Sequence, residues 1–436
     1  MVPAWVLLKR EILFEHDASA FGGKSQAAQD SMGGPSDSMR RPRSSEEGET
    51  VKVPSRQDIK DAILVYLQSV KPDAHFANPP QLSSLRLLRP TKSIPQLCED
   101  IFSVVIASAD KNLVALYAGP YRPGNNLKGG YLIYDTSKNS LSAVPQPPYD
   151  YSRADLGLGS VVLSLKEDNY LLAELTKKRG CTPPKAALSI WRPSAAEWVM
   201  YPASFPPELC LPNCVFQADM CFSYRGSVLC WVDLFKGMLI CDLMLHSDGQ
   251  PKFRYIPLPQ QSMAYDRFEH PLRPEEFRSV ACVDGSIKFV TMDGYGQRPG
   301  NELSLTAWTL STDLCHWNKV NECFVRDIWE SNNYLQSGLP KILPLFPVLS
   351  MNEDDVVYLV VTRRKVVGCQ VEYMGQYLLR VDMQHHKVSF CPQNTEQIRS
   401  QPFASQCSAY VSAYHKGKVK ARKVEACKDK ELIWCT

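Results

Sequence analysis

Leu229-Cys230-Trp231-Val232-Asp233-Leu234-Phe235-Lys236-Gly237-Met238-Leu239-Ile240-Cys241-Asp242, followed by Phe253-Arg254-Tyr255-Ile256-Pro257-Leu258-Pro259, is the stretch on which the fold turns. It reads as a strand, a Lys-Gly turn, a second strand ending in Asp, and a third strand stopped by Pro, because a proline cannot donate to a strand ladder. Variants recur along the chain. One unit holds Ser103-Val104-Val105-Ile106-Ala107-Ser108, Leu113 to Tyr117 and Gly130 to Thr136. Another holds Val161 to Leu165, Tyr170 to Leu175, Ala187 to Arg192 and Trp198 to Pro202. A further unit, Ser279 to Thr291, Leu305 to Ser311 and Trp317 to Val320, is followed by Val356 to Val361, Tyr377 to Asp382 and Val388 to Phe390. The corresponding positions Tyr134, Trp191, Ile240, Trp308 and Leu379 lie roughly 50 to 70 residues apart, a spacing typical of propellers and repeat arrays.

Each unit is a small meander with two apolar faces, and such a sheet cannot bury both alone. Radial packing of the sheets solves this and leaves short edges. The expected fold is therefore all-β, a β-propeller of about six four-stranded blades within a range of five to seven. A pair of two-sheet sandwiches is the structural alternative. Ring closure needs strands from both ends of the chain, for which Trp5 to Leu8 and Ser408 to Tyr414 are the candidates. Residues 5 to 15 read as a strand pair or a strand and a turn, and Ile59 to Leu67 has helical spacing and gives one short helix. The expected division is 1–16 as an N-terminal strand segment, 17–50 as a disordered low-complexity insertion, 51–415 as the repeat domain and 416–436 as a basic tail.

Composition bounds the function. The 436 residues carry a net charge of +3, which gives no global electrostatic reason for a nucleic-acid or membrane partner. The basic clusters Met39 to Arg43 and His415 to Lys423 read as solvated tails, with nuclear import as the other reading. Fifteen cysteines, an odd count without a C-x-x-C pair, point to a reducing compartment. With no signal-peptide pattern and no apolar run of membrane-spanning length, the expected location is cytoplasmic, nuclear or both.

The chemistry-bearing residues do not form a recognised set. Neighbouring His385 and His386 point to opposite faces if they lie on a strand, so they are read as a hairpin turn without a metal role. Gly157-Leu158-Gly159 and Gly294-Tyr295-Gly296 lack the Lys-Ser/Thr pair and helix of a phosphate loop and are read as turns. The contiguous carboxylates Glu46-Glu47, Glu275-Glu276 and Glu353-Asp354-Asp355 are read as solvated, and the tryptophans Trp191, Trp198, Trp231, Trp308, Trp317 and Trp329 as core. No catalytic residue, metal or cofactor is therefore expected, and enzymatic activity is left open with the balance against it. Loops that mix aromatics with Arg have the composition of protein-binding hot spots. They mark Tyr265, Arg267, Phe268, Arg326 and Trp329 as candidate protein-binding residues.

Trp5-Val6-Leu7-Leu8, Phe76-Ala77-Asn78-Pro79-Pro80 before Ser84 to Leu87, the Leu229 to Asp242 phrase with Tyr255 to Pro259, and Leu305 to Trp308 before Trp317 together resemble the plant family called domain of unknown function 1618, which is expanded in grasses. The resemblance spans nearly the whole chain except residues 17–50 and about the last twenty. It implies a plant protein with a propeller-like architecture similar to F-box-associated and kelch regions. No catalytic residue or cofactor is established for that family. The leading expectation is a non-enzymatic module that binds a protein partner, with its oligomeric state open. The alternatives are a propeller-type hydrolase with a central-channel carboxylate site and a divergent paralogue with little retained activity.

Overall fold

The computed structural model describes residues 2–16, 55–89, 98, 101, 103–119, 129–147, 159–166, 169–177, 185–210, 216–244, 251–262, 273–367, 370–391 and 398–411. The segment 17–50, the tail 416–436 and the basic clusters named above lie outside these residues. The N-terminal segment forms two strands, β1 (Val6–Leu8) and β2 (Glu11–His16), that do not pair with each other but flank β4 (Leu82–Arg89), which follows helix α1 (Arg56–Gln68) and β3 (Lys71–His75). Ser55 begins α1 with a capping box, its hydroxyl accepting from the Asp58 amide while the Asp58 carboxylate accepts from the Ser55 amide.

The rest of the described chain is almost entirely antiparallel sheet. Four successive meanders follow one pattern: β9 (Ser160–Ser164) to β12 (Glu197–Ser204), β13 (Met220–Tyr224) to β16 (Phe253–Pro257), β17 (Arg278–Val283) to β20 (Trp317–Phe324), and β21 (Leu345–Leu349) to β24 (Lys387–Phe390). A first meander, β5 (Ser103–Asp110), β6 (Leu113–Ala118), β7 (Gly130–Asp135) and β8 (Ser140–Val144), belongs to a nine-stranded sheet in the order β25-β1-β4-β2-β5-β6-β7-β8, with β3 paired to β4 and β25 spanning Phe403–Ser405.

Burial explains why the middle strands were visible in the sequence. Strands β6 and β14 (Val228–Asp233) are buried at every position, whereas the outer strands β8 and β12 consist of exposed and half-buried residues apart from the buried Val144. A sheet covered on both faces produces continuous apolar runs in its central strands. The apolar clusters lie between successive sheets. One joins Val161 and Leu188 to Leu229 and Trp231, another joins Val228 and Cys230 to Phe289 and Trp308, and a third joins Phe277 and Leu305 to Val357 and Leu379.

The first strands of the sheets approach one another in chain order. Strand β5 lies beside β9, β9 beside β13, β13 beside β17, β17 beside β21, β21 beside β25, and β25 beside β5. Segments near the two ends of the described chain meet where β1 pairs with β25. The expected partner of the N-terminal strand is Ser408 to Tyr414, of which 412–414 lie outside the described residues; Val6–Leu8 pairs instead with Phe403–Ser405. Residues Cys407–Tyr410 instead form a 3-10 turn, fixed by Thr136 Oγ1 donating to Cys407 O at 2.7 Å and Ser408 Oγ donating to Pro3 O at 2.8 Å.

Two glycines play different parts. Asp284 and Gly285 both have positive φ, 47° and 73°, as an Asp-Gly hairpin turn requires. Gly237 begins β15 (Gly237–Asp242) and is required by close approach, because a Cβ there would strike the Ile256 carbonyl.

Candidate functional site

The last meander carries an arm that has no signal in the sequence pattern. Strands β22 (Val356–Val367) and β23 (Gln370–Asp382) have 12 and 13 residues, against 5 in β21 and 4 in β24. The ladder with β21 reaches only to Val360 and the ladder with β24 only to Leu379. Beyond these residues β22 and β23 pair with each other and run out of the sheet as a two-stranded ribbon. Arg363, Arg364 and Lys365 are exposed on one strand, and Glu372, Tyr373 and Met374 on the other. Arg364 lies opposite Tyr373 and Lys365 opposite Glu372, with a register shift between Arg363 and Arg364. Charge and a bulge are also devices that keep an exposed ribbon from pairing indiscriminately.

The root of the arm is fixed. The buried Gln376 side chain donates to Thr362 Oγ1 at 2.8 Å and to Ile398 O at 2.9 Å, and its carbonyl accepts from the Ile398 amide. One residue further on, Arg399 O accepts from Arg273 Nη1 at 3.4 Å. Arg273 directly follows the segment 263–272, which contains Tyr265, Arg267 and Phe268 and lies outside the described residues.

The two remaining predicted residues lie in helix α2 (Val325–Glu330) and have different environments. Arg326 is half-exposed, with its guanidinium 4.4 Å from the Phe324 ring centroid and its Nε 3.7 Å from Asp327. Trp329 is buried at 6% exposure, and its indole donates to Ile342 O at 2.9 Å. It is a core anchor for α2 and offers a partner little surface. Of the other tryptophans, Trp231 is fully buried and donates to Gly159 O at 2.7 Å. Trp198 and Trp317 open the outer strands β12 and β20 and repeat one contact, donating to Pro145 O and Pro257 O, both at 2.8 Å.

The carboxylate runs are engaged by partners, Asp354 and Asp355 across to the preceding meander and Glu353, Glu275 and Glu276 within their own surroundings. Glu353 pairs with Arg380, Asp354 with Lys288 at 2.6 Å, and Asp355 accepts from Asn321 at 2.5 Å. Glu275 pairs with Arg273 at 2.7 Å, and Glu276 accepts from Tyr295 at 2.9 Å. Near the first strands, Asp110 accepts from the Ser164 amide at 2.7 Å and Asp219 from the Leu234 amide at 2.9 Å. Burial raises the Asp110 pKa against the lowering effect of that bond. Gly294 and Gly296 have positive φ, in keeping with turns. A cleft of about 430 Å³ lies beside β19 (Ser304–Leu310) and β20, lined by Asp293, Trp308, Trp317, Lys319 and Glu322.

The phrase at the centre of the chain has a recorded counterpart. Residues 231–358 match the family model DUF1618, Protein of unknown function. The matched segment runs from Trp231 in β14 to Tyr358 in β22 and so covers most of one meander, all of β17 to β20, and the start of the next. No curated protein matches the chain. Among solved structures it is similar to the β-propeller domain of the Trilobed protease from Pyrococcus furiosus (8% identity, 66% of this chain and 70% of that one, TM-score 0.31). It is also similar to a putative TolB from Agrobacterium tumefaciens (10% identity, 65% and 78%, TM-score 0.30). A third similar structure is Penicillium chrysogenum alpha-L-arabinanase complexed with arabinobiose (11% identity, 59% and 77%, TM-score 0.33). At TM-scores this low the architecture is read from the chain's own sheets. Among the described residues no helix is long and apolar enough to cross a membrane.

Proposed function

We propose that the whole chain belongs to the DUF1618 family, that its described sheets form a six-bladed β-propeller, and that it is a non-enzymatic module binding a protein partner through the ribbon arm and the loops beside it. The order of the first strands and the β1–β25 pairing support the ring, with β25, β1, β4 and β3 as the sixth blade. The observation that carries the functional reading is the arm. A ribbon projecting from its sheet and presenting Arg363, Arg364, Lys365, Tyr373 and Met374 exposes residue types enriched at protein interfaces, apart from the lysine. Its three cations against the single Glu372 favour an acidic partner surface with an apolar anchor.

The partner surface extends in this reading to Tyr265, Arg267 and Phe268 beside the root of the arm, whereas Arg326 lies near the His386 turn at the opposite end of β23 and serves as a control, and Trp329 holds α2 in place. F-box-associated and kelch modules are the proposed functional type, and the plant cytoplasm or nucleus the proposed setting. The hydrolase alternative has less support, because Asp110 and Asp219, near the first strands, are engaged by backbone amides. Affinity purification from the source organism, comparing wild type with Arg363→Glu/Arg364→Glu/Tyr373→Ala and with Arg326→Ala, tests the proposal. A partner retained equally by all three proteins contradicts it.

A further inference from the structure

Cys323, Asp327 and His386 come from three separate pieces of structure and meet at one point. Cys323 is the second-last residue of β20, Asp327 lies in α2, and His386 occupies the turn between β23 and β24. Their ligand atoms, one thiol sulfur, one carboxylate oxygen and one imidazole nitrogen, all lie within 4.8 Å of one another. Among the described residues this is the one such group of three.

The supports around it are rigid. The Phe324 amide donates to Asp327 Oδ2 at 3.3 Å and aims the carboxylate. The hairpin carrying His386 is held at both sides, by Asn333 Nδ2 donating to Val388 O at 2.6 Å and by the Met383 amide donating to Asp355 O at 2.8 Å. His385 is occupied by Asp382, with Nδ1 to Oδ1 at 3.0 Å, whereas His386 is exposed with a positive φ of 51°. Cys323 is 2% exposed and sits at the edge of the apolar cluster between the two sheets. The site therefore has a dry sulfur floor and a wet imidazole rim.

We propose that Cys323, Asp327 and His386 form a binding site for a divalent cation of the zinc class, bridging the end of one meander to the hairpin of the next. The donor set of one thiolate, one carboxylate and one neutral imidazole suits a borderline-soft ion, and its charge of −2, partly offset by Arg326 beside Asp327, favours a divalent cation. Bond lengths of about 2.0 to 2.3 Å at a tetrahedral ion place ligand atoms about 3.5 Å apart, so closure requires the three to move inward by about 1 Å. The exposed His386 ring supplies most of that movement. On binding, the Cys323 S–H bond breaks, its proton passes to solvent, and the sulfur lone pair forms the metal bond. Three protein ligands leave a fourth position for water.

The test is zinc stoichiometry of the full chain by equilibrium dialysis, with cobalt as the spectroscopic probe, for wild type, His386→Ala, Cys323→Ala and His385→Ala. The site predicts that wild type and His385→Ala bind one more tight equivalent than the other two variants, with affinity at this site falling by at least about 100-fold in His386→Ala. It also predicts a thiolate-to-cobalt charge-transfer band that is lost in Cys323→Ala. His386 is exposed, so His386→Ala carries the test even if Cys323→Ala fails to fold. Equal stoichiometry in wild type and His386→Ala, or a cobalt adduct without the thiolate band, overturns the proposal.

Discussion

Val6 pairs with Ser405 in an antiparallel ladder, bringing the two ends of the described chain into one sheet. Leu7 is the middle residue of that closure. It is fully buried, pairs with Ala404 on one side and Leu82 on the other, and packs with Tyr358 and Val360 of β22. Leu7→Ala is expected to cost about 2 to 5 kcal/mol, as truncation of a buried leucine does. Because this pairing lies in the nine-stranded sheet and packs against β22, urea unfolding monitored by tryptophan fluorescence and by far-UV circular dichroism is expected to stay coincident, with a lower midpoint. A change of less than 1 kcal/mol would show that the ends do not close the structure.

Gln376 is the clamp at the root of the arm, bonded to both backbone groups of Ile398. Gln376→Ala leaves those groups without their side-chain partner, at a cost of about 1 to 3 kcal/mol. Hydrogen exchange is expected to accelerate in residues 362–376 and 398–401 before it does in β14. Uniform acceleration would contradict a local clamp.

Trp198 and Trp317 make the same indole-to-proline carbonyl bond in two different sheets. Trp198→Phe and Trp317→Phe are each expected to cost about 0.5 to 1.5 kcal/mol, and the double variant is expected to be additive because the sites are distant. Chemical denaturation of the four proteins measures both statements.

Alkaline lability follows from burial. Desolvation pushes the Cys241 thiol and the Tyr170 and Tyr358 phenols up to about 12 each. Their ionised forms are therefore favoured in the unfolded chain, where a thiol titrates near about 8.5 and a phenol near about 10. A raised folded pKa contributes stability that is fully present below the unfolded value and is lost as pH rises through the folded one. Stability is expected to decline from about pH 8.5 upward, and Tyr358→Phe is expected to flatten the decline above about pH 10. A denaturation midpoint independent of pH between 8 and 11 would refute this.

The parts legible in the sequence were those with unbroken apolar runs. The strands around Tyr134, Trp191, Ile240 and Leu379 are buried on both faces, and their recurrence gave the meanders and their order. Strand β13, Met220–Tyr224, is less legible because only Cys221 and Tyr224 are buried and Ser223 breaks its apolar run, and β21 because Pro347 interrupts Leu345–Leu349. The partner of β1 was misplaced because Phe403–Ser405 is only three residues long.

The sites were harder to read. Arg363, Arg364 and Lys365 look like the end of a strand, since a ribbon exposed on its faces has no apolar period. Composition groups Trp329 with Arg326, yet the Arg326 side chain stays in solvent beside Asp327 while the Trp329 ring packs into the core. Cys323, Asp327 and His386 have no metal-motif spacing, because the packing of two separate sheets brings them together.

The most direct test of the central claim, that the arm is the docking surface, is site-specific photocrosslinking in extract from the source organism. A photoreactive amino acid is placed at Tyr373 on the arm or, as a control, at the exposed Met200 on outer strand β12. The account predicts one dominant crosslinked partner from position 373, abolished by Arg363→Glu/Arg364→Glu and absent from position 200. The same partners from both positions, or a position-373 crosslink indifferent to the charge reversal, would contradict it.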